Sequence, residues 1–286
     1  MTQAENQTKP TGTRNPKVWF ITGTSRGFGR VWTEAALQRG DRVAATARNV
    51  ERIAHLKEQY GDQVLLLPLD VTQPEQAKHA VETAFQHFGK LNVVLNNAGY
   101  SLVGTIEEAS LENIRALYET NILGAVSVIQ AALPLLRQQG YGHIMGTSSN
   151  LGHLAHPLIG YYCSSKWAFE ALHETLSMEV KPFGIHVTII EPGAYATEFG
   201  SPQSLQFAGS LPEYEDIRTH IFQNIQTMEQ GNPKATPAAL FKAVDSALPP
   251  LRLFLGSHNL PAVREVYGKR LREWEAWDAV SRAAQA

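Results

Sequence analysis

Short apolar segments alternate with longer segments of helical spacing along most of the chain, and this alternation constrains the fold more than any other feature. The apolar segments have the length of buried strands and lie at 17–23, 42–48, 63–71, 91–99, 142–149, 185–193 and 251–256. Helical spacing occurs between them, at 28–40, 49–61, 74–88, 111–139 and 161–181. Near-continuous apolar strands that alternate with helices indicate a parallel sheet covered on both faces. The sequence therefore predicts an α/β fold built on a single doubly wound parallel sheet.

The length of 286 residues suits one domain of this kind. Residues 1–15 are polar and are predicted to form a disordered tail, and a single domain is predicted over 16–286. Residues 198–233 break the alternation and are predicted to form a helical lid over a site; we call them the lid segment. A C-terminal helical extension is predicted at about 260–286, with Trp274 and Trp277 packed onto the domain.

Composition argues against several classes of function. The formal net charge of −2 gives no reason to expect nucleic acid or an anionic membrane as partner. No uninterrupted apolar run approaches the ~18–20 residues of a membrane span, and the N-terminal residues lack the apolar core of a secretory signal. Cys163 is the only cysteine, so we expect a reducing compartment. The sequence predicts a cytoplasmic protein that acts on a small molecule.

Three glycines follow the first predicted strand, in the segment TGTSRGFG (22–29). Gly23, Gly27 and Gly29 would let the backbone turn sharply and approach a pyrophosphate at a helix N-terminus, where free N–H groups attract anions. Their G-x-x-x-G-x-G spacing differs from the G-x-G-x-x-G fingerprint, and an ordinary strand-to-helix turn is the alternative. Their position after the first strand favours a dinucleotide site.

Two arginines indicate which dinucleotide this site would bind. An NAD site usually has an acidic residue at the end of the second strand. Asp41 lies at the other end of that strand, and Ala47 stands where the acid is expected. Arg48 follows directly, and Arg26 lies in the glycine turn. Either arginine alone could be a solvated surface residue, but two guanidinium groups suit a 2′-phosphate, so the pair favours NADP(H) over NAD(H).

The segment YYCSSKW (161–167) contains two adjacent tyrosines and a lysine. Tyr162 and Lys166 are four residues apart and share one face of a helix, whereas Tyr161 pairs in this way only with Ser165. A nearby ammonium stabilises phenolate, so we expect it to lower the pKa of Tyr162 from the usual ~10. Tyr162 could then exchange a proton with a carbonyl or an alcohol. A half-buried tyrosine beside a surface lysine is the alternative, because this spacing alone is common.

Other polar residues have candidate roles near this pair. Ser149 closes the strand 142–149, at the carboxyl end where open α/β sheets bind ligands, and its hydroxyl can hold a substrate oxygen. Asn121 lies in an apolar helical segment, where its buried amide would be unfavourable without hydrogen-bond partners. A role in the site is one interpretation, and a structural amide with its partners in the core is the alternative. His153 and His156 have H-x-x-H spacing, but no carboxylate or cysteine cluster accompanies them in the sequence, so we expect no metal site.

Together these motifs resemble the short-chain dehydrogenases/reductases, in their compact single-domain form. The motifs that carry the resemblance are TGTSRGFG, NNAG at 96–99, Asn121 followed by ILG, SSNLG at 148–152, YCSSK at 162–166 and PGAYAT at 192–197. Ser149 precedes Tyr162 by thirteen residues, the usual interval in the family, which selects Ser149 over Ser148. The match covers about residues 16–197 and implies a Rossmann fold.

The resemblance also implies roles for matching residues. Tyr162 would be the general acid/base, Lys166 would lower its pKa and hold the nicotinamide ribose, and Ser149 would orient the carbonyl. Asn121 would fix a water in a proton relay that reaches Lys166. The implied cofactor contacts are Gly23, Ser25, Arg26, Gly27, Phe28, Gly29, Arg48, Asn49, Asp70, Val71, Asn97, Ala98, Gly99, Tyr162, Lys166, Pro192, Gly193 and Thr197. Among them, Asp70 would hold the adenine amino group.

The motifs and the resemblance together predict an NADP-dependent oxidoreductase that transfers a hydride between the nicotinamide and a carbonyl or secondary alcohol. Reduction of a ketone or aldehyde is the expected direction. Apolar residues of the lid segment favour a lipophilic or aromatic substrate: Phe199, Phe207, Leu211, Tyr214, Ile217 and Phe222. An NADP-binding sensor or scaffold without turnover is the alternative. A sugar-nucleotide epimerase is disfavoured, because the C-terminal portion is too short for the substrate domain of those relatives.

The helix at 161–181 is apolar nearly all round, apart from a strip of Glu170, His173, Glu174, Ser177 and Lys181. Corresponding helices of the resembling family form dimer or tetramer interfaces. We therefore expect a homo-oligomer, although the C-terminal extension could instead cover this surface.

Overall fold

The computed structural model describes residues 15–201, 204–226 and 228–285, so the predicted tail at 1–15 lies outside the described residues except for Asn15. The strands are β1 (Val18–Ile21), β2 (Arg42–Ala47), β3 (Val64–Pro68), β4 (Val93–Asn96), β5 (Ser101–Val103), β6 (Gly142–Thr147), β7 (Ile185–Pro192), β8 (Leu205–Phe207) and β9 (Arg252–Leu255). The α-helices are α1 (Gly27–Gln38), α2 (Ala54–Tyr60), α3 (Pro74–Phe88), α4 (Leu111–Tyr118), α5 (Gly124–Gln139), α6 (Gly160–Val180), α7 (Glu215–Gln226), α8 (Pro237–Val244) and α9 (Asn259–Ala283).

Seven of the strands form one parallel sheet in the order β3-β2-β1-β4-β6-β7-β9. They are the seven apolar segments of the sequence, which confirms the predicted doubly wound α/β fold. The strand order reverses between β1 and β4, and ligands of such sheets bind beyond the carboxyl ends of the strands at this reversal. The segments that follow β1, β4, β6 and β7 therefore meet at one edge of the sheet.

Side chains of the sheet point alternately to two helical layers, as β-strand geometry requires. Trp19 and Ile21 of β1 face a layer formed by α1, α2 and α8. Val18 and Phe20 face the opposite layer, formed by α3, α5 and α6. Trp19, Phe20 and Ile21 have no exposed surface. Full burial on both faces explains why these strands are continuously apolar in the sequence.

The helix predicted over 111–139 is interrupted by one π-helical turn, Glu119–Leu123, between α4 and α5. π-turns occur mostly as single turns within α-helices, frequently at functional sites. Asn121 lies in this turn and is 1% exposed. Its amide nitrogen donates to the Tyr100 carbonyl at 3.0 Å and to the Ser165 hydroxyl at 3.2 Å. The polar residue in an apolar segment therefore has partners from two other elements.

The stretch Leu111–Gln139 was not singled out as a membrane span in the sequence analysis, because polar and charged residues interrupt its apolar run. By length and composition alone it is the one helical stretch among the described residues that could cross a membrane. However, 44% of its apolar window is buried within the protein. α5 packs against α3, and Val128, Ala132 and Leu136 belong to the core. Such a core helix meets the same criteria as a membrane span.

Three features of the periphery differ from the sequence expectations. β5 and β8 pair as a separate parallel two-stranded sheet that we did not predict, and β8 lies within the lid segment. Trp274 and Trp277 are 59% and 61% exposed, so the expectation that they pack onto the domain is wrong. Glu170, expected on a polar strip of α6, is only 5% exposed because it belongs to a buried group of charges described below.

Asp41 provides a test of the core at the amino end of β2. Its buried carboxylate accepts hydrogen bonds from the Trp19 indole at 2.8 Å and the Lys17 backbone at 2.9 Å, and pairs with Arg39 at 2.7 Å. Asp41→Ala leaves these donors without their acceptor, so we expect the free energy of unfolding to fall by about 3–5 kcal/mol in urea denaturation. The matched control is Asp62→Ala, which removes an exposed carboxylate and should change the free energy of unfolding by less than ~0.5 kcal/mol. Equal effects of the two changes would contradict the role of Asp41.

Candidate active site

The glycine turn between β1 and α1 is a close-packed structure that excludes side chains at specific positions. Gly23 and Gly27 have φ of +70° and +55°, in the left-handed region that favours glycine. A Cβ on Gly29 would lie 2.2 Å from the Gly23 carbonyl oxygen and 2.5 Å from the Asn97 amide nitrogen. Helix α1 begins within this turn, at Gly27, so the free backbone N–H groups of its first turn lie at the carboxyl edge of the sheet, where the site is expected.

Asn97 and Ala98, which follow β4, hold this turn in place. The Asn97 amide nitrogen donates to the carbonyl oxygens of Thr22 at 3.0 Å and Gly23 at 3.3 Å. The Asn97 and Ala98 backbone N–H groups donate to the Thr22 hydroxyl at 2.9 and 3.0 Å. The resemblance implied that these residues line the adenosine; the structure shows that they fix the turn's backbone.

Arginines converge on the turn. Burial lowers the pKa of Arg26, and the nearby positive charges of Arg48 and Arg52 lower it further. Arg48 and Arg26 were predicted to lie together, and the structure brings them together. Arg52 was missed, although its place one turn after Arg48, in the 3₁₀-helix Val50–Ile53, was a usable signal. A group of positive charges of this kind can attract an anion that carries several negative charges.

Tyr162 lies at the opposite end of the site, near the N-terminus of α6, and is 6% exposed. Burial raises the pKa of Tyr162, and a hydrogen-bonding interaction with the Ser149 hydroxyl partly offsets this increase. Ser149 lies two residues after the end of β6 and also accepts a hydrogen bond from the Leu151 backbone at 3.2 Å. The structure therefore brings together the two hydroxyl groups that the sequence singled out. Tyr161 points elsewhere, with its hydroxyl donating to the Ile106 carbonyl at 3.0 Å.

Lys166 lies one turn after Tyr162, but its effect on the tyrosine differs from the expectation. The ammonium donates to the Thr147 carbonyl at 2.7 Å and lies 5.6 Å from the Tyr162 ring centroid. We expected Lys166 to lower the pKa of Tyr162; in the structure the pKa is raised, because desolvation of the phenolate outweighs the other contributions. Burial also lowers the pKa of Lys166 to about 8, and Glu170 opposes that change.

Asn121 and Lys166 border the same small space beside Gly99. A Cβ on Gly99 would lie 3.1 Å from the Asn121 side-chain oxygen Oδ1 and 3.9 Å from Lys166 Nζ. The Asn121 oxygen accepts one hydrogen bond, from the Tyr100 backbone at 3.1 Å. A carbonyl oxygen has two lone pairs, so it can accept another. The four predicted catalytic residues thus surround one region at the carboxyl ends of β4 and β6.

The other predicted cofactor contacts lie along the same edge, and several have structural partners. Asp70 accepts from the backbone and hydroxyl of Thr72 at 3.0 and 2.8 Å, and the Asn49 side chain accepts from the Glu51 backbone at 3.0 Å. Phe28 stacks on Trp32 with 4.9 Å between ring centroids, which makes it a packing residue. Of the remaining predicted contacts, Ser25 follows β1 and Val71 follows β3. Pro192 is the last residue of β7, and Gly193 and Thr197 come after it.

A buried group of charges lies behind the predicted catalytic residues, and the sequence analysis missed it. His153 lies 3.2 Å from the Glu191 carboxylate, so carboxylates do accompany this histidine, contrary to the sequence expectation. His153, Glu170 and Glu191 present ligand atoms within 4.8 Å of one another, but the Arg252 guanidinium lies 3.1 Å from Glu170 and 3.5 Å from Glu191. Arg252 therefore supplies positive charge to these carboxylates. Burial, together with the Glu191 charge, raises the pKa of Glu170 to about 7.

The C-terminal helix contacts this charged group through His153. The Tyr267 hydroxyl lies 3.0 Å from His153 Nδ1, and Arg270 donates to the His153 carbonyl at 3.1 Å. Arg270 also lies over the Trp167 ring, 4.7 Å from its centroid. α9 thus covers the loop after Ser149 and part of α6, while Leu172 and Met178 on α6 stay 44% and 65% exposed.

The site fits a nicotinamide dinucleotide. The close packing at Gly23 and Gly29 leaves no room for side chains at the N-terminus of α1, where the diphosphate of a dinucleotide would approach the backbone. The arginines that converge on this turn lie beside it. The catalytic candidates lie at the other end of the same sheet edge. Arg26, Arg48, Gly27 and Gly29 would hold the adenosine and phosphate portions, and Tyr162 and Lys166 would face the nicotinamide end.

Comparisons with known proteins agree with this geometry. The family model for short chain dehydrogenases matches residues 17–206. An oxidoreductase of Botryotinia fuckeliana, BOA17, is 37% identical over 267 residues, covering 92% of this chain and 95% of the relative. A 3-ketodihydrosphingosine reductase of Bacteroides thetaiotaomicron is 32% identical over 257 residues, covering 89% of this chain and 91% of the relative.

Solved structures give the same result. A short-chain dehydrogenase from Streptomyces avermitilis has a TM-score of 0.87 at 35% identity, covering 94% of this chain and 99% of that one. An alcohol dehydrogenase from the archaeon Thermococcus sibiricus, complexed with 5-hydroxy-NADP, has a TM-score of 0.69 at 28% identity, covering 84% and 95%. With a family match over most of the sheet and relatives aligned over nearly their whole length, the chain belongs to the short-chain dehydrogenases/reductases.

Proposed function

We propose that this protein is an NADP-dependent oxidoreductase that reduces a ketone or aldehyde, using Tyr162 as proton donor. The observation that carries the proposal is the buried Tyr162 phenol beside the Ser149 hydroxyl, with the Lys166 ammonium one turn further along α6. These groups lie at the carboxyl edge of a sheet whose first turn fits a dinucleotide. A nicotinamide cofactor, when bound, supplies or accepts the hydride.

The proton chemistry follows from the environments of the three side chains. Because burial raises its pKa, Tyr162 is protonated at neutral pH and is in the form that donates a proton to a carbonyl oxygen. The Ser149 hydroxyl can donate a hydrogen bond to the same oxygen and orient it. Lys166, with a pKa of about 8, is mostly charged at pH 7, and its ammonium stabilises the phenolate that remains. Asn121 lies next to Lys166 and can accept a hydrogen bond from a water that returns the proton.

The preference for NADP rests on the arginines of the turn. Arg48 and Arg52 both interact electrostatically with Arg26. Ala47 occupies the end of β2, where an NAD-binding protein of this fold usually has an acid. A 2′-phosphate would neutralise the accumulated positive charge through charge-assisted hydrogen bonds. The Thermococcus enzyme, which carries an NADP derivative, is consistent with this choice.

A lipophilic substrate is supported by the lid segment. The Phe199 ring lies 5.8 Å from the Tyr162 ring, and Phe207 lies 6.5 Å from Phe222, between ring centroids. Glu108, which precedes α4, anchors this segment by accepting hydrogen bonds from the Leu211 backbone and Arg218. The reductase from Bacteroides is named for a long-chain keto compound, a substrate of the class that apolar lid residues would accommodate.

Several further expectations belong to this proposal. They are a single domain over 16–286, action on a small molecule rather than a nucleic acid or a membrane, and a cytoplasmic location consistent with the buried free thiol of Cys163. A homo-oligomer is supported by the exposed Leu172 and Met178 of α6. A sensor without turnover would not need Tyr162, Ser149 and Lys166 to be gathered in one buried site.

Replacing the phenol tests the proposed acid. We expect wild-type protein, assayed with NADPH against long-chain ketones, aromatic ketones and aldehydes, to turn over at least one of them. Tyr162→Phe should then lose about 10²–10⁴-fold in kcat, the range for a general acid, while its Kd for NADPH stays within about twofold. The neighbouring Tyr161→Phe is the matched control and should keep most of its activity. Turnover by Tyr162→Phe at a rate comparable to that of wild type would refute the role of Tyr162 as proton donor.

Removing one guanidinium tests the cofactor assignment. Arg48→Ala should raise the Kd for NADPH about 10- to 100-fold, as the loss of hydrogen bonds to a charged group implies, and leave the Kd for NADH almost unchanged. Arg42→Ala, at the exposed amino end of β2, is the control and should affect neither. Calorimetric titration measures both constants. An unchanged ratio of the two in Arg48→Ala would show that NADP is not selected here.

The buried ammonium of Lys166 predicts a pH dependence of stability. Its pKa is about 8 when folded and about 10.5 when unfolded, so the unfolded chain binds more protons between these values and wild-type stability rises with pH. The unfolding free energy of wild type minus that of Lys166→Met should therefore grow by roughly 2–3 kcal/mol between pH 7 and pH 10. Urea unfolding at a series of pH values measures it, with exposed Lys57→Met as control. A difference that is constant with pH would be inconsistent with a buried ammonium.

A further inference from the structure

A carboxylate from the lid segment occupies the N-terminus of α1. Glu198 accepts a hydrogen bond from the Gly27 backbone at 2.9 Å, although 171 residues separate the two. Arg26, the N-cap residue of α1, makes no side-chain capping hydrogen bond, and the first turn of α1 contains no acidic residue. In the described part of the chain, Glu198 is thus the acidic side chain that caps this helix. A carboxylate is stabilised there by the free N–H groups and the helix dipole.

Neighbouring charges strengthen this contact. Backbone hydrogen bonds, from its own N–H and that of Gly27, lower the pKa of Glu198, and Arg30 and Arg26 lower it further. The Glu198 charge in turn opposes the decrease in the pKa of Arg26 that burial and the neighbouring arginines cause, and it adds to the increase in the pKa of Arg30 that Glu34 mainly causes. Glu198 is therefore ionised at neutral pH and interacts with part of the cationic group that the proposed function assigns to the cofactor.

The next residue, Phe199, contacts the catalytic end of the site. The turn Glu198–Gly200 begins at Thr197, whose hydroxyl accepts from the Phe199 backbone at 3.3 Å. The Phe199 ring lies 5.8 Å from the Tyr162 ring, between centroids. Two consecutive residues of one short turn therefore touch the phosphate-binding end and the proton-donating end of the site at once.

We propose that Glu198 is an intramolecular anion that competes with the diphosphate of the cofactor for the N-terminus of α1. This inference rests on the proposed function. The Glu198 carboxylate and a diphosphate are both negatively charged, so they would repel each other strongly if both accepted hydrogen bonds from the N–H groups of the same helix N-terminus. A bound diphosphate therefore displaces the carboxylate. Since Phe199 follows directly in the chain, displacement of Glu198 also shifts the ring that lies against Tyr162. Dinucleotide binding thereby opens the substrate end of the site.

Competition predicts effects of opposite sign in a single variant. Glu198→Gln removes the competing charge, so its Kd for NADPH and for NADH should fall about three- to tenfold, corresponding to a typical charge–dipole interaction. The same change weakens the cap of α1, so the protein without nucleotide should melt at a lower temperature than wild type. If Glu198 had a purely structural role, Glu198→Gln would instead bind the dinucleotides more weakly and also melt at a lower temperature.

The experiment combines calorimetric titration of NADPH and NADH, thermal unfolding of the nucleotide-free protein, and hydrogen exchange of residues 197–201. Glu213→Gln, an exposed acid elsewhere in the lid segment, is the matched control and should match wild type in all three. NADPH should speed exchange at 197–201 in wild type, whereas Glu198→Gln should exchange fast from the start. Binding by Glu198→Gln that is unchanged or weaker overturns the competition alone. Failure of wild type to bind either dinucleotide overturns the proposed function as well.

Discussion

The active-site end of the molecule depends on one buried ammonium, that of Lys166. Its 2.7 Å hydrogen bond to the Thr147 carbonyl joins α6 to the carboxyl end of β6. Burying a charge is unfavourable unless partners compensate it, and the fold surrounds this one with a carbonyl, the Phe169 ring at 5.1 Å and the negative charge of Glu170. Because α6 is fixed at this point, Tyr162 one turn earlier is placed beside Ser149, and Gly99 is confined to a position without a side chain.

The buried charges behind Lys166 extend this constraint to the C-terminal helix. Glu170 lies one turn after Lys166 and pairs with Arg252 of β9, which also approaches Glu191 at the end of β7. Glu191 contacts His153, and His153 contacts Tyr267 of α9. A path of ion pairs and hydrogen bonds thus runs from the loop after Ser149, the proposed substrate-orienting residue, to a helix beyond the last strand. In such networks removal of one member leaves a buried charge unpaired, so α9 supports the geometry of the loop after Ser149 from outside the sheet.

The sequence predicted those parts of the structure that local pattern determines. Seven apolar segments predicted the seven strands of the sheet, because strands buried on both faces must be apolar throughout. The spacing of Tyr162 and Lys166 predicted their shared helical face. Contacts between distant segments had no such signal: β5 pairs with β8 over a separation of 104 residues, Ser101 to Leu205, and Glu198 contacts Gly27 over a separation of 171 residues. The pKa of Tyr162 was misjudged for a related reason, since helical spacing indicates that a cation is near but does not reveal how deeply the phenol is buried.

Electrostatics connects the two ends of the site. The turn after β1 gathers Arg26, Arg48 and Arg52 closely enough that the positive charges lower the pKa of Arg26, which means that an anion nearby is stabilising. In the structure described here Glu198 supplies part of that negative charge, and the chain position of Glu198 places Phe199 on Tyr162. Arg26 belongs both to the group of arginines that would attract a dinucleotide and to the contacts that hold Glu198 at the start of the lid segment, so the proposed cofactor affinity and the proposed access to Tyr162 both depend on Arg26. We therefore expect a substitution of Arg26 to change both properties together, because the lid segment contacts this arginine and the proposed ligand would bind to it.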